Sequence, residues 1–404
     1  MDFGYPPEAE AYRAKVRAFL DANLPVDWKG VGALPDDELY PFLERWRTLL
    51  RDNGFIGITW PTQYGGQGLT ALEQVVLHDE FGKRGVPDGS FHDNFGVKMV
   101  GNTVLQWGTE EQKRHYVPRI ISGEDLWCQG YSEPDFGSDL AGLQTKAVLD
   151  GDQWVMNGQK IWTSQGYSGN WIFVLARTDT DAPKHKGISF LLVPMDQPGI
   201  EVRRIKQISG LSEFAEVFFT DARTPRENVI GPVNGGWAVA NTLLGYERGA
   251  SAATFPIMFR EEFDRLLAMA KERGVTDHPV IRQRIADCYA RVEVMRYLGY
   301  GTLTKFLAGQ PPGRETGIVK LYWSEYHQKL TELAVDILGA DALTPEGHLP
   351  RTPTRADFAG TPNTSLGWVG MFLGARAETI YAGTSQIQRN VAGETILGLP
   401  REPR

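Results

Sequence analysis

Glu247 lies in Leu243-Leu244-Gly245-Tyr246-Glu247-Arg248-Gly249-Ala250, where helical spacing puts Ala240, Leu243, Leu244, Ala250 and Ser251 on its own face. A carboxylate on an apolar stripe loses solvation, its pKa rises, and it can take a proton near neutral pH. The other reading is an ion pair within the helix or with an arginine of a neighbouring one. The segment Tyr131-Ser132-Glu133-Pro134-Asp135-Phe136-Gly137-Ser138-Asp139 leaves a strand and turns at Pro134 and Gly137. Its hydroxyls and backbone N–H groups can bond a ligand's carbonyls, although turns favour these residues in any case. Trp162-Thr163-Ser164 adds an indole that can cover a flat ring or fill a core. Thr384-Ser385-Gln386 follows Gly383; its side chains can bond phosphate or sugar oxygens, or Thr384 simply caps a helix.

Gly66-Gln67-Gly68-Leu69-Thr70-Ala71 has the spacing of a dinucleotide fingerprint ahead of a helix. Trp60-Pro61 before it makes a poor buried parallel strand, because proline removes a ladder donor, so a plain turn is the better reading. The seven histidines are scattered without metal-ligand spacing, and no metal site is expected. A net charge of -8 argues against a nucleic-acid partner. No apolar run reaches a membrane span, and Met1-Asp2-Phe3-Gly4-Tyr5 lacks signal-peptide order. Two cysteines, Cys128 and Cys288, suggest no disulfide framework and fit a reducing cytoplasm.

These groups need elements to hold them. The 404 residues read as helices, then strands, then helices. Pro6 and Pro7 open a first helix with Tyr12, Val16, Phe19 and Leu20 on one face, closed at Asn23-Leu24-Pro25. Thr70-x-x-Glu73 and Thr109-x-x-Gln112 are capping boxes. Asp150-Gly151 and Asn157-Gly158 are hairpin signals, and short strands over 171–176, 188–193, 200–202 and 216–219 point to a small antiparallel barrel or sandwich. Helical periods return over roughly 236–273, 278–308, 313–340 and 367–397. The expected domains are therefore an all-helical 1–123, a β-domain 124–235 and a helical bundle 236–404.

Ile380-Tyr381-Ala382-Gly383-Thr384-Ser385-Gln386-Ile387-Gln388-Arg389 resembles the C-terminal signature of acyl-CoA dehydrogenases. Glu133-Pro134-x-x-Gly137-Ser138-Asp139, Asn157-Gly158-x-Lys160-x-Trp162 and the stretch from Glu216-Val217-Phe218-Phe219 to Ile230-Gly231 also resemble that family, in order and spacing, as do Trp60-Pro61-x-x-Tyr64-Gly65-Gly66 and Gly108-Thr109-x-x-Gln112-Lys113. The resemblance spans nearly the whole chain. It implies an α+β multidomain fold: an N-terminal helical domain, a central antiparallel β-barrel and a C-terminal four-helix bundle. It implies FAD between β-domain and bundle, with a neighbouring subunit completing the site.

Position by position, the resemblance implies flavin contacts from Gln129, Tyr131, Ser132, Trp162 and Ser164, and an acyl-CoA contact from Ser138. It implies contacts to the adenine dinucleotide half from Thr384, Ser385 and Gln386. The Arg-x-x-Phe-Gly segment used for the partner's FAD is absent, and Arg282 is the nearest substitute. Asp336 stands where a glutamine often leads Gln-x-x-Gly-Gly, an unfavourable charge beside a pyrophosphate. Many relatives carry a catalytic glutamate where this chain has Ala382, whose backbone N–H helps polarise the thioester carbonyl. Some members, isovaleryl-CoA dehydrogenases among them, place the base at the Leu-x-x-Glu-Arg position, which is Glu247 here. The implied reaction is α,β-desaturation of an acyl-CoA to the trans-2-enoyl-CoA, with electrons passed to an electron-transferring flavoprotein, in a homodimer, homotetramer or heterotetramer. Two rivals stand beside it: a non-catalytic partner subunit, marked by Ala382 and Asp336, and an oxidase or monooxygenase on the same fold.

Overall fold

A computed structural model describes residues 6–307, 316–352 and 356–400, with the side chains of 247–254, 302–303, 306–307 and 316 left undescribed. The first third is helical: α1 (Pro7–Asn23), α2 (Asp36–Asp52), α3 (Ala71–Lys83), the single turn α4 (Asp93–Phe95), α5 (Gly101–Trp107) and α6 (Glu110–Ser122). Pro7 stands in the first turn of α1, whose Tyr12, Val16, Phe19 and Leu20 are buried. Both capping boxes form, at Thr70 with Glu73 and at Thr109 with Gln112. The glycine-rich run over 66–70 before α3 is irregular backbone, neither strand nor helix, following a short 3-10 segment at Thr62–Tyr64 and a turn residue at Gly65.

Eight strands follow: β1 (Trp127–Gly130), β2 (Lys146–Asp150), β3 (Gln153–Ser164), β4 (Trp171–Arg177), β5 (Ile188–Pro194), β6 (Ile200–Ile205), β7 (Phe214–Pro225) and β8 (Val229–Ile230). They pair in the order β6-β7-β3-β2-β4-β5-β8, with β1 on β4. The ladder is antiparallel except where β1 and one bridge of β2 meet β4 in parallel. Asp150-Gly151 makes the expected hairpin, since Asp150 pairs with Gln153 across it.

Asn157-Gly158 does not make a hairpin; β3 runs straight through it with a register shift between Met156 and Gly158. The cause is local. Gly158 has φ 150 and lies where a Cβ would come within 2.5 Å of Thr145 Oγ1. Asn157 replaces the interrupted ladder, donating from Nδ2 to Asp221 Oδ1 at 2.9 Å and accepting from Asp221 N at 3.0 Å. The glycine therefore marks a bulge.

The last third is α7 (Gly236–Glu272), α8 (Pro279–Leu307), α9 (Thr316–Leu338), α10 (Ser365–Ala375) and α11 (Ser385–Val391). The single helix expected over 367–397 is broken: α10 ends at Ala375, turns follow over 376–380, and the left-handed Ala382 (φ 52) and Gly383 (φ 87) separate them from α11. One core joins all three parts: Val104 and Val117 from the helical domain, Phe173 and Phe190 from the strands, and Val239 and Leu243 from α7. Each fully buried side chain of this size contributes about 1.5–3 kcal/mol. A second core fills the bundle around Phe259, Trp323, Tyr326 and Leu330. Among the described residues, no helix is long and apolar enough to cross a membrane.

Candidate active site

On the β-domain side, Gln129 sits in β1 opposite Phe173 of β4. The chain leaves the strand at Tyr131, whose ring meets Phe173 edge-on at 5.9 Å. Ile161 N donates to the Ser132 carbonyl at 2.9 Å, fixing this exit against β3. Lys160, fully buried, donates from Nζ to the Tyr131 carbonyl at 3.1 Å and to Glu133 Oε1 at 2.8 Å. Glu133 also accepts from Gln144 N at 2.6 Å and Thr145 N at 2.9 Å. Burial pulls the Lys160 ammonium down to about 8 against the opposing pull of Glu133. Burial alone would raise the Glu133 carboxyl, but Lys160 and the N–H donors hold it below its ordinary value.

Two residues past Lys160 the backbone turns left-handed at Trp162 (φ 59), and its indole stands 55% exposed with its ring edge-on to Phe214. An indole this open on a structured strand is a surface awaiting a cover. Thr163 is buried, and its hydroxyl has no hydrogen-bond partner among the described residues. Ser164 pairs with Phe214 of β7. The structure thus gathers Tyr131 and Ser132 against the strand that carries Trp162 and Ser164. Ser138 lies further out, on the exposed loop where Asp139 pairs with Lys184.

On the bundle side, Thr384 is the N-cap of α11, accepting from Ile387 N at 3.1 Å. The helix-cap reading of that residue therefore holds. Ser385 is buried, with its hydroxyl unpartnered among the described residues, and Gln386 is exposed. These residues line a cavity of about 520 Å³ with Gln328, Lys329 and Thr379. Its acidic residues are compensated, Glu325 by Arg389 and Glu332 by Arg376. Asp336 likewise pairs with Arg284, so the charge expected to repel a pyrophosphate is neutralised. Taken separately, the uncovered indole beside the Thr163 hydroxyl suits a flat ring, and the lysine-bearing cavity beside the Ser385 hydroxyl suits a polar, anionic group; FAD has both.

Ala382 and Gly383 lie between these groups in character: their turn opens the backbone ladder. Among the described residues the Ala382 N–H has no hydrogen-bond partner, while its carbonyl accepts from Gln388 Nε2 at 3.0 Å. Glu247 falls within α7, and its side chain lies outside the described residues. Ala240 and Leu243, two of its expected face-mates, are buried. Arg282 is not gathered with the rest; it is exposed in the first turn of α8, loosely paired with Asp277 at 3.8 Å. The sequence reading missed the clamp residues Lys160 and Glu133 as a pair, missed Lys320 and Gln388, which bond the Gly383 and Ala382 carbonyls, and missed His327, which lies between Glu262 and Glu378. Lys320 and His327, seven apart among the apolar residues of α9, were the available signal.

Residues 6–124, 128–222 and 234–397 match, in turn, the N-terminal, middle and C-terminal domain families of acyl-CoA dehydrogenase. Acyl-CoA dehydrogenase IpdE1 of Mycobacterium tuberculosis (strain ATCC 25618 / H37Rv) is 40% identical over 403 residues, covering 98% of this chain and 99% of that one. Among solved structures, the Tcur3481–Tcur3483 steroid ACAD is 33% identical with a TM-score of 0.79, over 100% of both chains. The ChsE4–ChsE5 complex from Mycobacterium tuberculosis is 28% identical with a TM-score of 0.77, again over 100% of both chains. A chain matched from end to end by the three domains of one family belongs to it: this protein is an acyl-CoA dehydrogenase, an FAD-binding oxidoreductase.

Proposed function

We propose that this enzyme desaturates the α,β bond of an acyl-CoA whose acyl portion is bulky and fused-ring, yielding the trans-2-enoyl-CoA and passing electrons to an electron-transferring flavoprotein. The observation that carries the reading is the turn at Ala382. A methyl group stands where many relatives have the base, the turn keeps an N–H without a partner among the described residues, and Glu247, in the sequence of α7, occupies the position used by the other branch of the family. Glu247 takes the proton from the α-carbon. The Ala382 N–H bonds the thioester oxygen and stabilises the enolate character that develops there. Bound FAD would supply the acceptor for the hydride that leaves the β-carbon. Tyr131, Ser132, Trp162, Ser164 and Gln129 hold the flavin ring; Thr384, Ser385 and Gln386 hold the adenine dinucleotide half; Arg282 serves the partner's FAD; Ser138 meets the acyl-CoA.

The bulky substrate is supported by the steroid ACAD neighbour and by Gly245, two residues before the base. A Cβ added at Gly245 would meet nothing within 4 Å, so this glycine is not there for close helix packing among the described residues. The test is anaerobic mixing of the purified flavoprotein with a panel of acyl-CoA thioesters. Fused-ring acyl-CoAs should bleach the flavin fastest. Bleaching by straight-chain acyl-CoAs alone would overturn the substrate class, and bleaching by none would overturn the activity.

One observation favours a second reading. One solved neighbour described above is named as a complex of two proteins and the other carries two protein names, so in this reading the chain is one half of a heteromeric assembly whose other half completes or carries the flavin site. A visible spectrum of the chain purified alone separates the two: bound yellow flavin supports the self-sufficient enzyme, and colourless protein supports the partner role.

A further inference from the structure

The bundle core holds an array of charges that the reaction does not touch. His327 of α9 is 1% exposed, and its Nδ1 lies 2.8 Å from both carboxylate oxygens of Glu378, while its Nε2 lies 3.2 Å from Glu262 Oε1 of α7. Glu262 is 1% exposed and Glu378 fully buried. Two turns back along the same face of α9, Lys320 donates from Nζ to the carbonyls of Glu378 at 2.7 Å and Gly383 at 2.9 Å. Gln328 donates from Nε2 to the Ala375 carbonyl at 3.1 Å and Thr379 Oγ1 at 3.0 Å. Gln388 closes the far side on the Ala382 carbonyl at 3.0 Å.

Charges this deep cost several kcal/mol each to desolvate, and a hydrophobic core would stabilise the bundle as well or better. What the array does that apolar residues could not is fix a backbone. Apart from the Glu262 contact, which ties His327 to α7, every anchor ends on residues 375–383, the segment that carries the left-handed turn. Ala382 has a Cβ and is strained at φ 52, so the turn persists only where its surroundings over-determine it. The anchors reach it on both sides: Lys320 holds the Gly383 carbonyl, Gln388 holds the Ala382 carbonyl, and His327 holds Glu378 four residues upstream.

We propose that the Glu262–His327–Glu378 array, with Lys320 and Gln388, is a positioning device that sets the Ala382 N–H in line for the thioester oxygen. The inference rests on the reading, given above, that this N–H polarises the thioester. His327, Glu262 and Glu378, all buried in the bundle, are thus positioning residues. An oxyanion donor works only within a few tenths of an ångström of its place, so loosening its backbone weakens it without removing it.

The test uses the flavin-loaded enzyme and the 3-thiaacyl-CoA analogue of whichever acyl-CoA bleaches the wild-type flavin fastest. The analogue cannot be desaturated but loses its α-proton on binding, and its enolate gives a long-wavelength charge-transfer band with the oxidised flavin. The pH midpoint of that band reports how strongly the thioester oxygen is held. His327→Gln should raise the midpoint by about one unit, a tenfold weaker hold, and lower kcat by about the same factor with KM within about twofold. Gln388→Ala, which leaves the buried charges intact, should raise the midpoint by about half a unit. Lys98→Met, which breaks the Lys98–Asp88 ion pair in the helical domain, is the control for lost stability and should leave the midpoint unchanged. If His327→Gln does not fold, Gln388→Ala carries the test alone. Wild-type midpoints in the folded variants, whatever their melting temperatures, overturn the inference. A wild-type enzyme that gives no band with the analogue overturns the underlying reading of Ala382 instead.

Discussion

In the β-domain one ammonium faces one carboxylate, Lys160 against Glu133; in the bundle one imidazole stands between two carboxylates, Glu262 and Glu378. Both arrays are buried, and both pin a segment that carries proposed site residues. The first holds the exit at Tyr131 and Ser132, the second the turn at Ala382. The difference lies in charge balance. The Lys160 pair is neutral by itself. The bundle array is balanced only when His327 is protonated and Lys320 is charged, setting two cations against two carboxylates. Burial alone would lower the His327 imidazole, yet Glu262 and Glu378 push it up to about 10, and burial raises the Glu378 carboxyl.

Breaking either array should produce the largest stability losses in the molecule. Lys160→Met strands a buried carboxylate and should cost about 3–5 kcal/mol by denaturant unfolding; adding Glu133→Gln should recover part of it. His327→Gln should cost a similar amount, about 3–5 kcal/mol, because Phe259 and the two carboxylates leave water no access to the site.

The two arrays should also bend the pH profile in opposite directions. The folded Lys160 pKa of about 8 lies below its ordinary 10.5, so the unfolded chain binds the extra proton and stability rises with pH between those values. The folded His327 pKa of about 10 lies above its ordinary 6.5, so the folded chain holds the extra proton. Its contribution is fully present below 6.5 and is lost as pH rises through about 10. Melting temperatures taken from pH 6 to 10 should show a fall assigned to His327 that flattens in His327→Gln. An unchanged slope in that variant would separate the array from the pH response.

Smaller changes probe how the two regions are joined. Gly236 opens α7 against β5, where a Cβ would lie 2.5 Å from Phe190 N. Gly236→Ala should therefore destabilise by about 1–3 kcal/mol, since backbone must move. Asn157→Ala removes the two bonds that bridge the β3 bulge on an exposed edge and should cost only about 1 kcal/mol.

The same contrast explains what could be read before the fold was seen. Lys160 and Glu133 lie in short segments with their own turn and strand signals, so the strand exit at Tyr131 and its partner strand were legible. The triple alternation of helix, strand and helix, both capping boxes and the Asp150-Gly151 hairpin were legible for the same reason: each is decided within a few residues. Gly158 was misread because a bulge and a hairpin ask for the same residues, and the choice between them is made by partners elsewhere in the chain, Thr145 against Gly158 and Asp221, 64 residues from Asn157. The break at Ala382 was hidden because alanine is a strong helix former, and its left-handed φ is imposed by anchors far along the chain. His327 reaches Glu378 across 51 residues and Glu262 across 65, separations at which residue spacing carries no signal. The cap role of Thr384 was one of two open readings, and the buried, unpartnered hydroxyl next to it at Ser385 emerged only in three dimensions.

The central claim is that a carboxylate on α7 does the work that the methyl at position 382 cannot. Rapid anaerobic mixing of flavin-loaded Glu247→Gln with the best acyl-CoA tests it most directly. The variant should keep its yellow flavin and lose about a thousandfold in the rate of flavin bleaching. Bleaching at the wild-type rate would place the base elsewhere and contradict the account.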